Sequence, residues 1–134
     1  MKTILLLEDE PSVMKLVRHM LKQYDVIEAT TVEEALLLFN DRNHRVDLLV
    51  ADLTVPKLSG IQVALLVRAE FPGMPVILTS GYPVSGWSSR DSADLLRLGS
   101  NSVVTLQKPF QAHLFLNTVC ELIGIANPDR TIAA

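Results

Sequence analysis

Five residues of this 134-residue chain have side chains suited to chemistry and stand where short apolar runs end: Glu8, Asp9, Asp52, Ser80 and Lys108. Three carboxylates brought to one place repel one another and raise each other's pKa unless a cation neutralises them. An all-oxygen set suits a hard divalent ion. Mg²⁺ characteristically keeps several waters while taking one or two carboxylates and a phosphate oxygen, and it is the expected metal, with Mn²⁺ as a substitute. Lys108 precedes Pro109, and a residue before proline is held extended, so its ammonium can reach the acidic group. Singly, Asp52 reads as a cap, Lys108 as a surface charge and Ser80 as a hydroxyl satisfying backbone. Jointly those readings fail, because the ends of hydrophobic parallel strands do not all carry functional groups by accident.

The elements that must position these residues follow from hydrophobic patterning. Short apolar runs at 3–7, 26–29, 47–51, 75–80 and 103–106 read as strands, and amphipathic stretches between them read as helices. The first helix is expected from Pro11 to about Tyr24, with Val13, Leu16, Val17, Met20 and Leu21 inward. Thr31 and Glu34 have capping-box spacing for a second helix, carrying Ala35, Leu36 and Phe39 inward. A third runs through Ile61, Ala64, Leu65 and Arg68 to Phe71, where Pro72-Gly73 ends it. Residues 81–92 read as a long loop leading into a weak helix with Ala93, Leu95, Leu96 and Leu98. The last helix follows Phe110, with Leu114, Phe115, Val119 and Leu122 as its stripe and Gly124 as its end.

Five strands alternating with helices make a doubly wound α/β domain with a five-stranded parallel sheet and helices on both faces, the flavodoxin-like topology. Ligands of such folds sit beyond the carboxyl ends of the strands. The five residues lie at that rim. The domain is expected over 1–125, with 126–134 a flexible tail.

Composition bounds the function. The chain is 49% hydrophobic and 20% charged, which fits one compact domain. A net charge of −3 with 12 scattered basic residues argues against a nucleic-acid surface, which needs clustered Lys and Arg. The apolar run before Glu8 is shorter than the roughly 7–15 residues of a signal-peptide core. Nothing approaches the roughly 18 apolar residues of a membrane span. A cytoplasmic location is expected, with Cys120 read as a buried free thiol.

The motifs Leu6-Leu7-Glu8-Asp9-Glu10-Pro11, Asp52-Leu53-Thr54-Val55-Pro56 with Gly60, Pro75-Val76-Ile77-Leu78-Thr79-Ser80-Gly81-Tyr82 and Lys108-Pro109-Phe110 resemble those of response regulator receiver domains of two-component signalling. The likeness covers residues 2 to about 124. Its wording is closest to receivers of hybrid sensor histidine kinases. The resemblance implies a single-domain response regulator in which Asp52 accepts a phosphoryl group from a histidine kinase or histidine phosphotransfer protein. It further implies metal ligation by Glu8, Asp9, Asp52 and the Thr54 backbone carbonyl, with charge neutralisation by Lys108 and a hydrogen bond from Ser80. Signal would leave by contact with a downstream protein, and the chain is expected to be a monomer or weak homodimer. It is not expected to be a conventional enzyme.

Three features depart from the family's pattern. Thr105 stands where many receivers carry an aromatic residue, three positions before the lysine, so an aromatic rotamer switch is not expected there. The stretch 81–102 looks long, and Trp87 and Tyr82 within it are candidates for a partner surface, against the plainer expectation that Trp87 packs over the domain edge. Thr54 and Tyr82 lie at positions that adjust access of water to the acyl phosphate, and bulky Tyr82 predicts a long-lived phosphorylated state. A receiver-fold adaptor that works unphosphorylated is a competing function. So is an aspartyl-nucleophile phosphohydrolase, though Thr54 stands where such enzymes resemble a pattern with a second aspartate.

Overall fold

A computed structural model describes residues 1–41, 45–55 and 59–124. Five strands, β1 (Thr3–Leu7), β2 (Asp25–Ala29), β3 (Leu48–Asp52), β4 (Val76–Ser80) and β5 (Val103–Gln107), alternate with five helices. The helices are α1 (Pro11–Met20), α2 (Val32–Asn40), α3 (Gly60–Glu70), α4 (Ser89–Leu98) and α5 (Ala112–Ile123). The strands form one parallel sheet in the order β2-β1-β3-β4-β5, so strand order reverses between β1 and β3. The expected doubly wound architecture is therefore observed.

Alternate residues of each strand point to opposite faces, and this divides the core in two. Leu5, Leu7, Leu49, Ala51, Val76 and Leu78 pack on one face with Val32 and Ala35 of α2, Val63 and Val67 of α3 and Leu98 of α4. Ile4, Leu6, Leu48, Val50 and Ile77 pack on the other with Met14 and Val17 of α1 and Phe115 and Val119 of α5. Because β1, β3 and β4 are covered on both sides, they carry runs of consecutive apolar residues rather than an alternation, which makes them legible as buried strands.

Helix starts follow their side chains. Thr31 Oγ1 accepts the Glu34 amide at 3.1 Å, while the Glu34 carboxylate reaches back to the Thr30 amide at 2.8 Å. Ser59 and Gln62 form a reciprocal capping box at α3. Gly124 ends α5 with φ +87°, a left-handed conformation that suits glycine.

Several sequence expectations need correction. α1 ends at Met20 rather than near Tyr24, and its phase is turned: Met14, Val17 and Leu21 are buried, while Leu16 is 55% exposed. Leu96 of α4 is 83% exposed, and Asp94 takes an inward position, paired with Arg97 at 3.2 Å. Leu114 of α5 is half-exposed because Phe115, Thr118 and Val119 form the buried stripe. The long loop after β4 is shorter than expected. It contains a 3₁₀ turn, Val84–Gly86, and α4 already starts at Ser89, where the Ser88 hydroxyl accepts the Asp91 amide at 3.0 Å. Trp87 is buried, so it offers no exposed aromatic to a partner; Tyr82 is the exposed ring of that segment. Cys120 is half-buried rather than buried. Pro56 and the expected tail at 126–134 lie outside the described residues.

Candidate functional site

Sheet register brings the five residues together. Asp52 is the last residue of β3 and pairs with Thr79, and the Leu53 amide donates to the Thr79 carbonyl at 2.8 Å. Ser80 is the last residue of β4, and the Lys108 amide donates to its carbonyl at 2.7 Å, so β5 delivers Lys108 beside it. The Glu8 amide donates to the Ala29 carbonyl at 3.0 Å, carrying the β1–β2 pairing one residue past β1. The peptide between Lys108 and Pro109 is cis.

α3 approaches Asp52 more closely than a side chain would permit. A Cβ on Gly60 would stand 2.1 Å from the Asp52 carbonyl oxygen and 3.1 Å from the Ala51 Cβ. The Gly60 amide donates to the Leu53 carbonyl at 3.1 Å, drawing the start of α3 onto the end of β3. Gly60 stands in the motif that begins at Asp52, and the close approach gives it a role that no local sequence pattern shows.

At the rim, Lys108 Nζ lies 2.7 Å from Glu8 Oε1 and 3.3 Å from Asp52 Oδ1. The second Glu8 oxygen accepts the Glu10 amide at 3.1 Å. One carboxylate oxygen from each of Glu8, Asp9 and Asp52 lies within 4.8 Å of the others; Glu8 and Asp52 are buried and Asp9 is exposed. Burial, then the charge of Glu8, pushes the Asp52 carboxyl up to about 6 against the opposing pull of Lys108 and of a backbone hydrogen bond from Thr54. Burial alone would lower Lys108, but its hydrogen bond to Glu8 and the charges of Asp52 and Glu8 hold the ammonium above its ordinary value. One lysine thus offsets two buried carboxylates only in part. A close all-oxygen set carrying surplus negative charge fits a hard divalent cation.

The remaining residues of interest surround this centre. Ser80 Oγ accepts the Tyr82 amide at 3.2 Å. A Cβ on Gly86 would stand 3.7 Å from the Tyr82 ring, and Thr105 is half-buried in β5 opposite Leu78. A largely apolar groove of about 300 Å³, lined by Val13, Leu16, Val17 and Met20 of α1 with Lys108, Pro109 and Phe110, opens beside the same lysine. Helical spacing alone does not distinguish a buried stripe from a groove wall, and in α1 Val13, Leu16 and Met20 line the groove while Val17 is also buried.

A doubly wound sheet with an acidic, lysine-bridged rim at its switch point defines a class of α/β domain whose ligand site lies at the carboxyl ends of its strands. The family model of the response regulator receiver domain matches residues 4–119, and the chain belongs to that family. Response regulator GtcR of Aneurinibacillus migulanus is 35% identical over 111 residues, which cover 81% of this chain and 42% of GtcR. The polar-differentiation response regulator DivK of Brucella anthropi is 29% identical over 129 residues, covering 93% of this chain and 98% of DivK. Sensor kinase CckA of Brucella abortus is 32% identical over 123 residues, 90% of this chain and 12% of CckA, in keeping with the kinase-like motif wording. The chain thus spans less than half the length of GtcR and nearly all of DivK. In fold it is similar to chemotaxis protein CheY4 of Vibrio cholerae, with a TM-score of 0.76 over 91% of this chain and 98% of that one at 23% identity. Among the described residues no helix is long and apolar enough to cross a membrane.

Proposed function

We propose that this receiver domain, taken as residues 1–125, is a phosphoryl-accepting switch whose acceptor is Asp52. The observation that carries the reading is the position of Lys108 Nζ, within 3.3 Å of Asp52 and 2.7 Å of Glu8 in one buried acidic group. An Asp52 carboxylate oxygen attacks the phosphorus of a phosphohistidine on a histidine kinase or phosphotransfer protein. The new O–P bond forms as the P–N bond breaks, and the electron pair returns to the imidazole nitrogen. Glu8, Asp9, Asp52 and the Thr54 carbonyl would hold Mg²⁺, which when bound neutralises charge on carboxylate and phosphoryl oxygens. Lys108 offsets the charge on the incoming group, and Ser80, whose oxygen accepts the Tyr82 amide in the resting state, donates a hydrogen bond to it through its O–H as it moves toward Asp52.

The phosphohistidine partner docks in the groove along α1 that Lys108, Pro109 and Phe110 close, because half-exposed Leu16 and the site share that wall. Readout is a population shift of the segment after β4, passed to a downstream protein. Tyr82 shields the acyl phosphate, and Tyr82→Ala shortens its lifetime.

The test is incubation with phosphoramidate, whose P–N bond stands in for phosphohistidine, followed by phosphate-affinity electrophoresis. A retarded band in Mg²⁺ that is lost with chelator supports the reading. No band, or a band indifferent to chelator, contradicts it.

A further inference from the structure

Trp87 is the chain's one tryptophan, and only 8% of it is exposed. It belongs to the apolar cluster that also contains Val63 and Val67 of α3, Leu78 of β4 and Leu98 of α4. Its indole N–H is buried and has no hydrogen-bond partner among the described residues. Buried donors are nearly always paired, and leaving one unpaired costs free energy. Apolar packing therefore holds the indole where its polar atom gains nothing.

The segment that Trp87 closes begins at Ser80 and is internally braced. Ser80 Oγ accepts the Tyr82 amide, the Gly86 amide donates to Pro83 at 2.8 Å, and the Trp87 amide donates to Val84 at 3.0 Å. The Tyr82 ring is near Gly86, 3.7 Å from where a Cβ there would stand, and Ser88 caps α4 immediately beyond. These bonds link the Ser80 hydroxyl at one end of the run to the buried indole at the other.

We propose that Trp87 is a positioning residue for the switch. Its buried indole anchors 81–88 in the resting state and keeps the Ser80 hydroxyl turned to Tyr82, and its unpaired N–H eases departure to a more solvated position when Ser80 engages a phosphorylated Asp52. The inference rests on the function proposed above and names its regulation.

Beryllofluoride, which activates the DrrB receiver domain, serves as the phosphoryl stand-in. The full chain with Mg²⁺ and beryllofluoride is followed by fluorine NMR for binding and by emission and acrylamide quenching of Trp87 for position. Bound fluoride with red-shifted, more quenchable emission is expected. Bound fluoride with unchanged emission and quenching overturns the role of Trp87 alone, whereas no bound fluoride overturns the function as well. Trp87→Phe retains a buried ring without the orphan donor, so it should weaken beryllofluoride binding on the order of tenfold. Trp87→Ala removes the anchor and should tighten it. Unchanged or tighter binding by Trp87→Phe contradicts the proposal, and that variant decides the matter should Trp87→Ala fail to fold.

Discussion

Lys108 Nζ donates to Glu8 Oε1 at 2.7 Å across 100 positions of sequence, joining the residue after β5 to the residue after β1. The same ammonium lies 3.3 Å from Asp52 Oδ1, so a single cation at the rim serves two buried carboxylates. Removing it leaves both uncompensated. Lys108→Met should destabilise the metal-free protein by roughly 3 kcal/mol at pH 8, the scale for breaking a buried pair from one side. Urea unfolding at pH 8 and pH 5 checks this: the loss should shrink at pH 5, where Asp52 takes up a proton, and an equal loss at both contradicts it.

Asp52 sets the sign of a second pH effect. Its carboxyl is raised from 3.8 to about 6, so the fold favours the protonated form. That contribution is complete below the unfolded value and is lost as pH rises through the folded one. Above it, the ionised group costs on the order of 3 kcal/mol. Asp52→Asn should therefore stabilise the metal-free protein at pH 8 and change it little at pH 4. Thermal melting across that range measures it, and a stabilisation independent of pH would point to another cause.

Gly60 permits the approach of α3 to Asp52, since a Cβ there would meet a backbone carbonyl at 2.1 Å, an atom with no freedom to swing aside. Gly60→Ala should cost about 3 kcal/mol as an overpacking strain and should slow phosphorylation at Asp52 even at temperatures where the protein remains folded. A variant with normal stability and normal phosphorylation would show that the approach is not needed.

Asp9 is exposed while its carboxylate shares the acidic group, which makes it the cleanest probe of the metal. Mg²⁺ at a hundredfold above its dissociation constant should stabilise the chain by about 2.7 kcal/mol. Asp9→Asn should leave melting in chelator unchanged and weaken Mg²⁺ binding in calorimetry at least tenfold. Undiminished affinity would remove Asp9 from the ligand set.

Most of the fold and the central residues of the site were legible because β1, β3 and β4 are buried at every position, carry unbroken apolar runs, and end in or lead into charged or hydroxyl residues. The phase of α1 was not. Its segment carries apolar residues at 13, 14, 16, 17, 20 and 21, so the apolar arc is wide enough for several orientations, and the sheet chooses Met14, Val17 and Leu21. α4 was legible as a weak helix but not in its start or its inward face, because that face includes Asp94 while Leu96 points out. For Trp87 the sequence left two readings, a partner surface or packing over the domain edge, because its neighbours in sequence are Gly and Ser; its neighbours in space include α3 and α4, which decides for packing. The close pass of Gly60 depends on how two elements meet, which no local pattern encodes.

The central claim is that Asp52 is the phosphoacceptor. Intact-mass measurement after incubation with acetyl phosphate and Mg²⁺ tests it most directly, on the wild-type chain and on Asp52→Asn side by side. A gain of one phosphoryl group by the wild type and none by the variant is the predicted result. No gain by the wild type, or an equal gain by Asp52→Asn, would contradict it.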